Sequence, residues 1–417
     1  MDTNLRAERP AHVPAERVVD FDLYRPPGVD NGFHEAWQAL HAPGIPDLIW
    51  TPHNGGHWMA TRGKMIAEVF SDYARFSCRV MLVPKAVGEQ HQMLPVVLDP
   101  PEHRPYRLLL NSSLAPKIIA GLEGKIRQLA GTLIDHVRAD GHCNFTAAYA
   151  EILPVQIFMS MVDLPQADVA TIKSWTDHIV HPDGSMSYAE AKQHIYDYLD
   201  PYIDARLGGD GQDMLSRIIN GTVNGRALTK PEMLSLCMQM LLGGLDTVVN
   251  FLGFVLLFLA RNPDHRRQLL ADPSLIPSAV EELIRRFPVV SLAREVRHDM
   301  EYDGVQLKQG EMIAVPTPLA GTDPRVNPAP LTVDFHRSSA DHVTFGNGPH
   351  LCPGANLART EVRITIEEWL ARIPEFTVAP DAEIHFRGGL VGVIDALPLV
   401  WEVASTWERE STRSSSL

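Results

Sequence analysis

The chain has 417 residues, a formal net charge of −14, and 45% hydrophobic and 21% charged residues. An acidic average argues against a nucleic-acid partner, which needs a broad basic face, and the ordinary composition argues against disorder and fibres. Cys78, Cys143, Cys237 and Cys352 form no CxxC pair; neither a zinc site nor a disulfide framework is indicated, and a reducing cytoplasm is expected.

Residues 1–20 are polar and Pro-interrupted and are expected to be loosely held, without the apolar run of a signal peptide or membrane anchor. Short alternating or β-branched runs at 47–51 and 57–61 predict strands. Apolar residues at three- and four-residue spacing predict helices over 116–138, 155–179, 188–206, 231–260, 263–272 and 275–286. The stretch 234–260 is long enough to span a bilayer, but it contains Gln239, Asp246 and Asn250; it is read as a buried central helix. Further strands are predicted at 295–297, 305–307, 312–315 and 397–402, with Asp303-Gly304 and Gln309-Gly310 as turns. A last helix starts in ANLARTEVRITIEEWL. No repeat or linker divides the chain, so the expected class is mainly α with small peripheral β-sheets, one domain over 21–405 and a flexible tail, 406–417.

Three segments carry candidate chemistry. In Phe345-Gly-Asn-Gly348-Pro-His-Leu-Cys352-Pro-Gly354 a cysteine stands at a helix start, where free amides and the helix dipole stabilise a thiolate able to bind iron. Gly348 and Gly354 allow sharp turns close to a flat cofactor, and Phe345 can shield the sulfur. A lone cysteine is more often a structural thiol, but this spacing reverses that preference.

The second is Gly243-Gly244-Leu245-Asp246-Thr247, inside the long apolar helix, where each glycine costs about 1 kcal/mol relative to alanine. An opened helix would leave room for dioxygen, with Thr247 as hydrogen-bond donor and Asp246 as proton relay. The competing reading is close helix packing, with Thr247 bonded back to the Gly243 carbonyl. The third is Glu282 and Arg285, three apart on one helix face.

The cysteine segment matches the cytochrome P-450 signature of Phe, two residues, Gly, three residues, Cys, one residue, Gly, and the chain from about 30 to 405 resembles that family. The resemblance implies a single-domain haem-thiolate monooxygenase fold, haem b held by Cys352, and Phe345 and Gly354 beside it. It implies an acid–alcohol pair in Asp246 and Thr247, haem carboxylates gripped by His103, Arg107, Arg294 and His350, and a structural triad of Glu282, Arg285 and Arg337.

HPDGSM at 181–186, GGLDTVVNFL at 243–252 and ALPLVW at 396–401 resemble the bacterial camphor-hydroxylating branch. By position this implies a pocket of Leu82, His91, Val96, Gln239, Leu242, Val290, Leu292 and Val391, which suits a small cyclic terpenoid. The branch's camphor anchor is a tyrosine; His91 stands there and can donate to a ketone or ether, so a cineole-like substrate is expected, with camphor and ionone as alternatives. Arg79 replaces an acidic ligand of the branch's cation loop, which argues against a potassium site.

The chain has no GxGxxG loop, flavin segment or iron–sulfur cysteine set, so electrons must come from outside. The resemblance implies a [2Fe–2S] ferredoxin and an NAD(P)H-dependent flavin reductase, docking near Arg104, Arg107 and Arg359 on a cytoplasmic monomer. Competing functions are a peroxide-driven haem enzyme and a haem ligand carrier or sensor without turnover.

Overall fold

In the computed structural model, which describes residues 5–180 and 185–403, the most apolar stretch of the chain forms the spine. It is long and apolar enough to cross a membrane, yet it lies mostly inside the molecule. The predicted single helix over 231–260 is two, Lys230–Gly244 and Thr247–Arg261, with Leu245 and Asp246 outside regular helix.

Helices surround this spine. Pro116–Arg138 and Tyr188–Arg206 run over the predicted ranges, and the second opens with a Ser187–Glu190 capping box. Ala355–Arg372 lies along Pro116–Arg138, where Arg127 reaches Glu367 at 2.5 Å and also pairs with Glu368. The predicted helix 155–179 is broken into Leu153–Val162 and Val169–Val180. Asp163 turns left-handed at φ 52° and Pro165 follows, which stops helix propagation whatever the apolar spacing beyond it. His103–Ser113 is a helix that periodicity does not reveal, because only His103, Leu110 and Ser113 on it are buried.

The main sheet has five strands in the order Leu48–Thr51, His57–Ala60, Met312–Pro316, Ser291–Val296 and Phe76–Ser77. The strand expected at 295–297 starts at Ser291, so it carries Leu292 and Arg294 as well as Glu295. Asp303 and Gly304, both with positive φ, turn the small hairpin Met300–Tyr302 and Val305–Leu307 as two-residue hairpin loops require. Pro398–Val400 pairs with Thr377–Val378 and with His142–Asn144.

Residues 5–20, expected to be loose, are held against the sheet. Ala7 donates to Pro52 O at 2.8 Å, Val19 to Trp50 O at 2.9 Å, and Val13 is fully buried. Backbone pairing and one apolar anchor hold the segment despite its polar composition. The tail 406–417 lies outside the described residues.

Glu282 and Arg285 are almost fully buried and paired at 2.7 Å, and Arg337 meets the same carboxylate at 3.0 Å. The rest of Arg285 is satisfied by Gly321 O at 2.6 Å and Pro330 O at 2.7 Å. Residue 321 must be glycine, because a Cβ there would lie 2.1 Å from the Arg285 carbonyl. This cluster ties helix Ile276–Arg286 to the irregular chain that leads toward Cys352. Since removing one partner leaves a buried uncompensated charge, Glu282→Gln is expected to lower the unfolding free energy by about 3 kcal/mol in denaturant titration, and an unchanged midpoint would refute that role.

Candidate active site

The Cys352 loop is closed by its own backbone. Cys352 N–H donates to Phe345 O at 2.8 Å, and Asn347 Nδ2 pins the loop to Ala67 O at 3.0 Å. The left-handed positions are Gly346 (φ 76°) and Gly348 (φ 70°), and at Gly348 a Cβ would meet Ser71 Cα at 2.7 Å. Gly354 lies in a turn without a left-handed φ, at −83°, and a Cβ there would stand 3.8 Å from the Cys352 sulfur.

Cys352 precedes helix Ala355–Arg372, and the amides of Gly354 and Ala355 reach its sulfur. Burial nevertheless pushes the free thiol above its ordinary value, against the pull of those amides and of Arg107. The helix start alone therefore does not ionise it; a bound cation would. By area the residue is exposed, so the sulfur is accessible although its surroundings desolvate it. Phe345 is half-buried, with Arg359 stacked on its ring at 4.7 Å.

Beside the loop lies a cluster of basic groups with unmet hydrogen-bonding capacity. The His103 and His350 rings are 4.1 Å apart, and His103 Nε2, His350 Nε2 and Arg294 Nε are buried without hydrogen-bond partners. Arg294 lies over the Phe70 ring at 5.0 Å and donates another hydrogen to Ala293 O at 2.8 Å. Arg107 donates to Leu351 O, one residue before the cysteine, and to Asn111 Oδ1 at 2.8 Å. Burial, with Arg107 close by, pushes His103 down to about 4; burial, with His103 and Arg294, pushes His350 down to about 3. Each unmet buried polar atom costs about 1–3 kcal/mol, so the cluster fits an anionic group with several acceptor oxygens.

The two glycines of the helix break behave differently. A Cβ on Gly244 would overlap the Phe158 ring at 2.4 Å, whereas one on Gly243 would meet nothing within 4 Å. Close packing accounts for Gly244 and open space for Gly243. Asp246 leaves helical geometry (φ −129°, ψ −48°), and Asn250 Nδ2 donates to its Oδ1 and its carbonyl, both at 3.0 Å. Thr247 follows at the first helical position, half-buried. Asn250 was readable in sequence as the residue one turn beyond Asp246, but not as its holder.

Of the expected pocket residues, Leu82, His91, Leu242 and Val391 are buried and Val96, Gln239, Val290 and Leu292 half-buried. Val290 and Val391 form an isolated antiparallel bridge outside the strands, and Leu94 N–H donates to Ser235 Oγ at 2.8 Å, joining the His91 segment to the helix of Gln239 and Leu242. His91 is pushed down to about 4 by burial, with Lys192 nearby, so it is neutral at neutral pH. Its ring stands 5.8 Å from Tyr188, a buried neighbour that no sequence signal marked. Part of the HPDGSM segment, residues 181–184, lies outside the described residues. Arg359 is not a free docking cation: both arms go to Glu281, at 2.5 and 3.1 Å.

Residues 152–384 match the family described as cytochrome P450. Probable cytochrome P450 127A1 of Sinorhizobium fredii is 32% identical over 94% of this chain and 96% of its own length. Pentalenic acid synthase of Streptomyces avermitilis is 31% identical over 73% of this chain and 77% of its own. Among solved structures, CYP101J2 is 46% identical with a TM-score of 0.89, and CYP101C1 is 40% identical with a TM-score of 0.87; each match covers 95% of this chain and 100% of the other.

The two glycines should separate by mutation. Gly244→Ala is expected to destabilise the fold by about 2 kcal/mol through overpacking on Phe158. Gly243→Ala should leave the unfolding midpoint unchanged or slightly raised. Equal losses in thermal unfolding would contradict the assignment of open space to Gly243.

Proposed function

We propose that this chain, which belongs to the cytochrome P450 family, hydroxylates an unactivated C–H bond of a small cyclic terpenoid bearing an ether or ketone oxygen, with cineole-like compounds the best fit. The overall reaction is RH + O2 + 2 H⁺ + 2 e⁻ → ROH + H2O. The family's cofactor is haem with a cysteine thiolate ligand, and when bound it supplies the centre where O2 is reduced and the electron donation that favours O–O cleavage.

The observation that carries the reading is the trio of buried nitrogens without hydrogen-bond partners, His103 Nε2, His350 Nε2 and Arg294 Nε, beside the loop of an accessible Cys352. Cys352 would hold the iron. Arg107, Arg294, His103 and His350 would bind the two haem carboxylates, and Phe345 and Gly354 would pack beside the sulfur. Asp246 and Thr247 share the helix break, where they hold and pass inward the protons that O2 reduction consumes; Asn250 fixes the Asp246 carboxylate.

Substrate selection rests on Leu82, Val96, Leu242, Val290, Leu292 and Val391 as apolar wall, with His91 and Gln239 as polar anchors. A neutral His91 donates one N–H to an ether or ketone oxygen and attracts no carboxylate, which favours an uncharged oxygenated hydrocarbon. Electrons would come from a [2Fe–2S] ferredoxin and its flavin reductase in the cytoplasm. Exposed Arg104 with Arg107, beside exposed Leu108 and Leu351, supports docking on the Cys352 side of a monomer, with Arg359 held by Glu281.

Two measurements test the reading. The reduced carbon-monoxide spectrum should show the strongly red-shifted Soret band of thiolate ligation and lose it in Cys352→Ala; a histidine-type band that persists in the mutant overturns the assignment. Thr247→Ala should keep that spectrum while diverting electrons to hydrogen peroxide, lowering product per electron pair by about tenfold or more. Turnover with added peroxide that Thr247→Ala leaves unchanged would favour a peroxide-driven enzyme instead.

A further inference from the structure

The segment that carries His91 is tied to the main sheet by charge. Arg79 donates from Nε and Nη2 to the two oxygens of Glu295, both at 2.9 Å. Lys85 Nζ stands 2.7 Å from the same carboxylate and donates to Gly310 O at 2.8 Å. Glu295 sits in strand Ser291–Val296 with its side chain only 6% exposed, while Arg79 and Lys85 are 66% and 34% exposed.

A carboxylate buried that deeply needs neutralisation, and both cations that provide it come from residues 79–85. Burial would raise Glu295, but Lys85 and Arg79 hold it below the usual carboxylate range, so it is charged. The same segment folds back on itself: His91 N–H donates to Gly88 O at 3.1 Å and Gln92 Nε2 to Arg79 O at 3.3 Å. Ala293 N–H, next to Leu292, donates to Met81 O at 2.8 Å. Glu295 is thus the charged foot of a loop running from Arg79 to Gln92.

We propose that Glu295 is a positioning residue: through Arg79 and Lys85 it holds the His91 loop in its substrate-binding arrangement. The inference rests on the reading of His91 as substrate anchor. An open cleft of about 650 Å³, lined by Arg79, Lys85, Asp99, Glu102, Glu295 and Arg297 among others, reaches the cluster, so dissolved salt can screen it. Substrate affinity is therefore sensitive to total ionic strength and indifferent to which monovalent cation supplies it.

The test uses the full-length haem-loaded protein. Without substrate, amide hydrogen exchange over 79–92 should speed by about tenfold in Glu295→Gln and in Arg79→Gln/Lys85→Gln, with exchange over 231–244 unchanged, and Glu295→Asp should restore part of the protection. With 1,8-cineole as probe, the apparent Kd from the low-spin to high-spin optical change should rise about tenfold in the same variants, while kcat at saturation stays within about twofold. In the unmodified protein, exchange over 79–92 should rise between about 0.01 and about 0.5 M salt, equally for potassium and sodium chloride, a readout that needs no variant to fold. Exchange insensitive to both salt and substitution overturns the proposal, and so does a requirement for potassium in particular. If cineole, camphor and ionone all leave the unmodified protein's spectrum unchanged, the terpenoid reading fails, and the exchange experiments still decide whether Glu295 anchors the loop.

Discussion

A polar group inside a mostly apolar helical protein is tolerated only when something nearby satisfies it, and this constraint organises the molecule. Glu282 is satisfied from within, by Arg285, Arg337 and the Asp334 amide at 3.0 Å, and so fixes one side of the chain leading to Cys352. His103, His350 and Arg294 retain buried nitrogens that no protein group meets. The first arrangement is a finished piece of architecture. The second would be completed by the carboxylates of the proposed haem.

Cys352 combines both conditions. Its backbone is closed on Phe345 and its sulfur meets two amides, yet burial outweighs them and keeps the free thiol protonated. The loop supplies position and partial charge compensation, and a bound metal cation would favour the thiolate further. Support by Gly348 against Ser71, and by Asn347 on Ala67, matters because it keeps the sulfur accessible rather than collapsed into packing.

The break in the central helix is where packing and chemistry are divided between adjacent residues. Gly244 brings Phe158 against the helix, Gly243 leaves room, and Asp246 opens the backbone so that Asn250 can grip both its carbonyl and its carboxylate. The His91 loop shows a parallel economy: backbone bonds shape it, and one buried carboxylate neutralised by two cations anchors it.

The sequence by itself determined the helical class, the helices over 116–138 and 188–206 and the cysteine segment, because periodicity and glycine–cysteine spacing are local properties of the chain. Family resemblance added the expected acid–alcohol pair, the candidate carboxylate-binding residues and the candidate pocket wall, which no local pattern distinguishes from ordinary surface charges and core aliphatics. Only the tertiary structure decided that Gly346 rather than Gly354 makes the second left-handed turn, that Arg359 is committed to Glu281, that residues 5–20 are pinned to the sheet, and that Tyr188 meets His91. Each of these depends on a partner far away in sequence or on which side of a turn faces the neighbouring backbone. Long-range pairing and burial set such outcomes, and neither leaves a periodic trace in the chain.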